Sequence, residues 1–200
     1  TEFLPISSTA HVKIVPVILG WGDPGVTFTA IVQLGSIVAI VGYFWSDIYQ
    51  LLIGVKRAIA TKNYQSPDFR VAMGIAIGTI PIVVLGLLVK FGLRDTYETF
   101  ARSSLVIALT SIGLAIFLGL AEVVGTRRRG YDKVGQRDGI GMGLAQALAL
   151  VPGVSRSGST ITAGLFMGLD RPTAARFSLL MGIPAILLSG LAELNELFEP

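Results

Sequence analysis

An all-α integral membrane protein is the fold class this sequence predicts: a polytopic helical bundle of inverted-topology repeats with two re-entrant helix hairpins. Three observations predict it. Of 200 residues, 52% are hydrophobic and only 14% charged, and the mean hydropathy is +0.70; a soluble domain carries about 25% charged residues. Four stretches approach the roughly 20 apolar residues that span a bilayer. Two polar islands broken by proline, residues 2–11 and 151–160, interrupt the apolar chain. Ionisable groups and non-helical backbone at membrane depth are costly unless they line a protein-enclosed or water-filled cavity.

The elements follow in order. The first island leads into a short apolar run, 14–20, too short to span alone. Residues 26–45 form the first span, with Gln33 its one strongly polar member. The loop 46–70 carries Lys56, Arg57, Lys62 and Arg70, and its 47–61 part reads as a helix lying along the interface. Residues 71–89 form an uncharged span, 90–102 a loop of mixed charge, and 105–124 a third span with Glu122 near its end. The loop 125–138 holds Arg127, Arg128, Arg129, Lys133 and Arg137 and is read as cytoplasmic by the positive-inside rule. Residues 139–168, cut by the second island, make two halves of about a dozen residues or fewer, which suits a re-entrant hairpin. Residues 177–194 complete the pattern. Gly74/Gly78, Gly139/Gly143 and Gly164/Gly168 are small-xxx-small pairs, read as close helix crossings against the background of ordinary glycine abundance.

Alternation then brings the first island in from outside and the second from inside. Opposite orientation of two such units is the mark of inverted repeats sharing one site. The whole is expected to be one membrane domain over 1–200, in parts 1–45, 46–138 and 139–200. The chain has no initiator Met, opens inside a polar motif and stops just after a hydrophobic run; it is read as a fragment cut at both ends. Zero cysteines exclude a disulfide framework and a Cys-based metal site. The pI of about 9.4 reflects loop topology, not nucleic acid. Trp21, Tyr43, Trp45, Tyr49 and Tyr97 read as interfacial anchors, and the Arg127–Arg129 run as a solvated topology signal.

The residue types in the islands suit an anionic phosphate. Arg156 is always charged and binds phosphate oxygens through two parallel N–H bonds; the alternative is a structural arginine paired with Glu2. Gly153 and Gly158 let the backbone turn, and a half-helix starting near Ser159 directs its positive end at the same place. His11 follows Ser8 by three residues, so hydroxyl nucleophile and general base share a helix face. Glu2 either orients the histidine or holds a divalent cation, Mg or Ca, bridging the phosphates. Ser7, Thr9, Ser155, Ser157 and Thr160 are candidate phosphate contacts, against the plain reading that membrane-helix hydroxyls bond backbone carbonyls.

Glu2-Phe3-Leu4-Pro5-Ile6-Ser7-Ser8-Thr9-Ala10-His11 resembles the first signature of the undecaprenyl-diphosphatase family, the bacitracin-resistance type, and Pro152-Gly153-Val154-Ser155-Arg156-Ser157-Gly158-Ser159-Thr160 resembles its second. Gln33-Leu34-Gly35-Ser36 and the run 174–184 are similar to it too. The resemblance covers the whole chain. It implies a multi-pass enzyme of the bacterial plasma (inner) membrane, its active site opening outward, that hydrolyses undecaprenyl diphosphate to the monophosphate. That recycles the lipid carrier for peptidoglycan and so bears on cell-wall biogenesis, cell shape and bacitracin resistance. It implies Glu2 as the second carboxylate of an acidic pair, Ser8 as nucleophile, His11 as base, Arg156 as phosphate clamp, and Ser155 and Thr160 in support. The family's other glutamate would lie four residues before Glu2, and its members continue past Pro200. The partners expected are the lipid diphosphate and membrane lipids, with a homodimer open and no nucleic acid.

The competing reading is a transporter or flippase for a phosphorylated lipid or anion, since broken helices in inverted repeats are transporter features. A transporter needs no base beside a nucleophile, so Ser8 with His11 favours the enzyme. A non-catalytic scaffold leaves Arg156 and Glu2 without a purpose.

Overall fold

Apolar periodicity and capping set the helices. A computed structural model describes residues 2–21, 25–92 and 103–198; the side chains of Thr9, Lys13, Val17, 25–31, 33, 34 and 192–198 lie outside that description. Among the described residues all regular structure is helical. The helices are α1 (Ser8–Ile18), α2 (Gly25–Tyr43), α3 (Trp45–Thr61), α4 (Pro67–Gly92), α5 (Ser104–Val124), α6 (Gln136–Ala147), α7 (Arg156–Phe166) and α8 (Arg171–Phe198). Short 3₁₀ turns at Tyr131–Lys133 and Leu148–Leu150 precede and follow α6. Pro67–Gly92, Ser104–Val124 and Arg171–Leu191 are long and apolar enough to cross a membrane. With the exposed apolar strip of α5 (Leu109, Ile112, Ile116, Leu120), they make this an integral membrane helical protein.

The expected 26–45 span corresponds to α2, which ends at Tyr43. The chain turns by 64° between Gly35–Tyr43 and Trp45–Thr61. Phe44, buried at the bend, packs its ring edge-on to Tyr43 at 4.9 Å. α3 is amphipathic, as the interfacial reading of 47–61 requires: Gly54 and Ala58 are buried, while Tyr49, Leu52 and Ile59 are exposed. It stops at Lys62, which takes the left-handed conformation with φ 55° and donates its N–H to the last carbonyls. Pro67 then opens α4, where a missing N–H costs nothing. Trp21, Tyr43, Trp45 and Tyr49 are all exposed; Tyr97 and residues 93–102 lie outside the described residues, as do 22–24.

α4, α6, α7 and α8 form the core, with α5 against α7, α2 against α8 and α3 against α4. The tightest contact is the α4–α6 crossing. A methyl group on Gly139 or Gly143 would overlap the backbone of Gly74 or Gly78, with Cα atoms only 2.5 Å away in each case. Two of the three glycine pairs therefore meet each other, backbone on backbone. The third is divided: Gly164 packs near Met142 and Ala174, and Gly168 takes φ 84° at the turn after α7.

α6 and α7 are too short to span, about 18 and 16 Å. They pack against each other: a methyl on Gly141 would meet Met167 and one on Gly164 would meet Met142. Buried Phe177, Met181, Leu165, Leu169 and Val71 fill the space between these helices.

The arginine run is not uniformly solvated. Arg129 binds Asp138 through two parallel bonds of 2.8 Å and donates to the Met167 and Lys133 carbonyls, while Asp138, 1% exposed, also accepts from Gly135 N–H. Arg127 pairs with Glu122 at 3.1 Å, and Arg171 binds the same carboxylate. Composition reads these as loop charges; burial of Asp138 makes Arg129 a structural partner.

Candidate functional site: two polar islands meeting at Arg156

The first island folds as turns over residues 2–6 and then reverses at Ser7, whose φ of 60° is left-handed. Ser7 is buried, and its hydroxyl accepts the Ala10 N–H at 3.4 Å. It acts as the N-cap of α1. The His11 ring lies over the same residue: Nδ1–H donates to the Ser7 carbonyl at 2.8 Å. That bond fixes the tautomer and leaves Nε2 with its lone pair. His11 is exposed and Ser8 half-buried. Ser8 and His11 make no hydrogen bond with each other among the described residues, and the Ser8 hydroxyl takes no other protein partner there. The Thr9 side chain lies outside the described residues, as does that of Gln33.

The second island turns at Gly153, with φ 93°. α5 supplies two donors to this turn: Thr110 Oγ1 to the Pro152 carbonyl at 2.8 Å and Ser111 Oγ to the Gly153 carbonyl at 3.0 Å. Ser155 then caps α7, its Oγ accepting Gly158 N–H at 3.1 Å. Arg156, and not Ser159, is the first residue of that helix. Ser159, Thr160 and Thr162 donate to carbonyls within α7, and Thr160 also meets Ser178 Oγ of α8 at 2.6 Å. Bonds of this kind to carbonyls of their own helix are common for hydroxyls in apolar helices.

The islands meet. Ser157 Oγ donates to the Leu4 carbonyl at 3.0 Å and lies 3.2 Å from Ser155 Oγ. Glu2 Oε1 comes within 3.9 Å of Arg156 Nε, the two side chains 17% and 9% exposed. This is an ion pair too long for a hydrogen bond. On the other side of the guanidinium, Nη1 donates to the Ser178 carbonyl at 3.5 Å. Nε and Nη2 are buried with no hydrogen-bond partner among the described residues. Those two atoms form the edge of a guanidinium that grips a carboxylate or phosphate with two parallel bonds. A buried, unpaired edge of this kind is expensive. An anion brought to this edge, beside Glu2 at the start of α7, would relieve that cost.

The cation expectation fares differently. Glu2 is the one carboxylate placed at this position, and the described residues hold no cluster of three or more His, Asp or Glu. A hard dication takes about six oxygen ligands, and the Arg156 guanidinium repels it from Glu2. Among the described residues Glu2 is the single candidate ligand for the expected cation.

The bacitracin resistance protein BacA family model matches residues 1–199. The chain belongs to that family. BacA-family relatives named undecaprenyl-diphosphatase include those of Trichodesmium erythraeum (57% identical, covering 100% of this chain and 64% of the relative), Trichormus variabilis (59%, 99% and 62%) and Nostoc sp. (59%, 98% and 62%). The chain thus spans less than two thirds of the length of these curated relatives.

Three parts of this BacA-family site carry no mark in either island. Ser178 holds Thr160 and, through its carbonyl, Arg156. Gly182 of α8 lies against the guanidinium. Thr110 and Ser111 fix the turn; their signal is a pair of adjacent hydroxyls in mid-span.

Proposed function

We propose that the protein of which this chain is part hydrolyses undecaprenyl diphosphate to undecaprenyl phosphate and phosphate, recycling a lipid carrier for peptidoglycan synthesis and conferring bacitracin resistance. The observation that carries the proposal is the buried Nε/Nη2 edge of Arg156, unpaired among the described residues and beside Glu2, which lies on the same island of sequence as Ser8 and His11. Two parallel N–H bonds there take non-bridging oxygens of the terminal phosphate and stabilise the charge that grows on them during transfer. Ser8 Oγ bonds the terminal phosphorus, the bond to the bridging oxygen breaks, and the lipid monophosphate leaves. The hydroxyl proton passes to His11 Nε2, which is free because Nδ1 is held by the Ser7 carbonyl. The departing lipid monophosphate takes that proton from His11; water then attacks the phosphoserine phosphorus, His11 takes a proton from the water, the P–Oγ bond breaks, and the proton returns to Ser8 Oγ as phosphate leaves.

A divalent cation belongs to this proposal only as a counter-ion carried in by the diphosphate, and no step runs through it. The proposal also includes an inverted pair of repeats, with residues 1–18 and the α6–α7 pair as re-entrant hairpins, and a site opening to the outer face of the bacterial inner membrane. The basic loop 125–138 supports that orientation. A Gly130→Cys variant should resist an impermeant thiol reagent in intact cells; labelling would overturn the orientation.

The test of function uses the full-length protein in detergent with lipid diphosphate. Arg156→Lys should lose nearly as much phosphate release as Arg156→Ala, because lysine keeps charge but not the planar fork. A lysine variant at near-parental rate overturns the clamp. Ser8→Ala and His11→Ala should each cost about 10³-fold or more, and the double variant little beyond either. Strong turnover by Ser8→Ala would replace serine attack with attack by water. Uptake of the lipid without phosphate release would favour the transporter.

A further inference from the structure

We infer that Gly182 of α8 is a positioning residue that sets where the Arg156 guanidinium points. The inference rests on the reading of Arg156 as the phosphate clamp.

A methyl group built on Gly182 would overlap Arg156 Nη1 and come within 2.5 Å of Cζ and 2.9 Å of Nη2. All three nearest atoms belong to the guanidinium. The group therefore lies directly on the backbone of α8, in a slot that only glycine leaves open. Nη1 reaches the Ser178 carbonyl from that slot. Ser178 is four residues before Gly182, so the same carbonyl accepts the helical N–H of Gly182, and Nη1 uses its second lone pair. One turn along α7, Thr160 Oγ1 and Ser178 Oγ meet at 2.6 Å. This hydroxyl pair fixes the level of α7 against α8, and the glycine slot falls beside it. Nη1 is tied to α8, Nε comes within 3.9 Å of Glu2 Oε1, and Nε and Nη2 have no hydrogen-bond partner among the described residues.

Gly182 differs in kind from the crossing glycines. A methyl on Gly139 or Gly143 meets the backbone of α4 and would force helices apart. A methyl on Gly182 meets the end of a flexible side chain. The cheapest accommodation is for the guanidinium to leave its slot while α7 and α8 stay where they are. Gly182→Ala is thus a way to misplace the clamp without removing its charge and without undoing the fold. A displacement of about 1 Å at a positioning group can cost on the order of 10²-fold in rate.

The test is a double-mutant cycle in the full-length protein, read by phosphate release from lipid diphosphate and by thermal unfolding. Gly182→Ala should lower kcat/KM by about 10²-fold, with a small fall in Tm. In the Arg156→Ala background, Gly182→Ala should cost nothing further in either rate or Tm, since no guanidinium remains to collide. Equal losses in both backgrounds would make Gly182 an ordinary packing residue and overturn the inference. So would a parental rate for Gly182→Ala alone. If Arg156→Ala itself retains the parental rate, the clamp reading fails, while the Tm arm of the cycle still reports whether Gly182 and Arg156 are coupled.

Discussion

Replacing Asp138 by alanine should cost the fold about 3 kcal/mol, and the estimate follows from what the carboxylate touches. It accepts two charged bonds from Arg129 at 2.8 Å and one from Gly135 N–H at 3.0 Å, at a position 1% exposed. Hydrogen bonds to charged groups contribute about 1.5–3 kcal/mol each, but they are not additive. Breaking a buried pair from one side costs about 3–5 kcal/mol, mostly through the charge left behind. Here that charge is Arg129, whose side chain is 35% exposed and which keeps the Met167 and Lys133 carbonyls. Water reaches it, which places the loss at the lower end of that range. For a chain of this size about 3 kcal/mol corresponds to roughly 6–12 °C in Tm. Asp138→Asn retains an acceptor for Gly135 and should lose about half as much. The assay is thermal unfolding of the full-length protein in one detergent, with both variants and the parent side by side. A fall of less than about 2 °C for the alanine variant would refute the reasoning and return Arg129 to the status of a solvated loop charge.

Gly143→Leu should prevent the α4–α6 helices from closing and abolish the cooperative melt, whereas Gly113→Leu, on an open face of α5, should leave Tm unchanged. Asp170 caps α8, and its bonds to Thr173 hold its carboxyl below the usual carboxylate range. A depressed folded pKa stabilises above the unfolded value of about 3.9 and ceases to do so as pH falls through the folded one. The Tm gap between the parent and Asp170→Ala should therefore be full at neutral pH and shrink in acid. Burial pushes the Tyr131 hydroxyl up to about 12, with Arg176, 4.4 Å over its ring, opposing the rise. Because the folded pKa is raised, Tyr131 should stabilise fully below pH of about 10 and progressively less from there to about 12, a loss that Tyr131→Phe should not show in alkaline melts.

Hydropathy made the three spanning helices legible but not their ends. The expected 71–89 span is the middle of a helix that runs Pro67–Gly92, and the expected 177–194 span begins at Arg171. The extra turns are polar, so a hydropathy window passes over them; Asp170 and Pro67 begin them instead. The two islands were legible as islands because charge is conspicuous in an apolar chain. Their meeting was legible only through topology, as two inverted units sharing one site; the atoms that touch were not, since Ser157 and Leu4 are 153 residues apart and share no local pattern. The glycine pairs of α4 and α6 were visible singly, but nothing in either says that it pairs with the other. The hydroxyls were hardest of all. Ser7, Ser155 and Thr160 are the same chemistry to a reader of sequence, and only geometry separates a cap or a carbonyl partner from the unbonded hydroxyl of Ser8.

The two hydroxyls that α5 offers to the Pro152 and Gly153 carbonyls have one more consequence. A turn in water is solvated by whatever molecules drift past, and it flexes as they exchange. This turn carries a hydration shell made of protein, two hydroxyl groups that cannot leave. Its carbonyls keep the same partners however dry the surroundings become, and the residue just beyond them, Arg156, inherits that constancy. Thr110→Val would remove half of the shell from a helix that contributes no group to the anion position. The Pro152 carbonyl would then have to take its partner from outside α5.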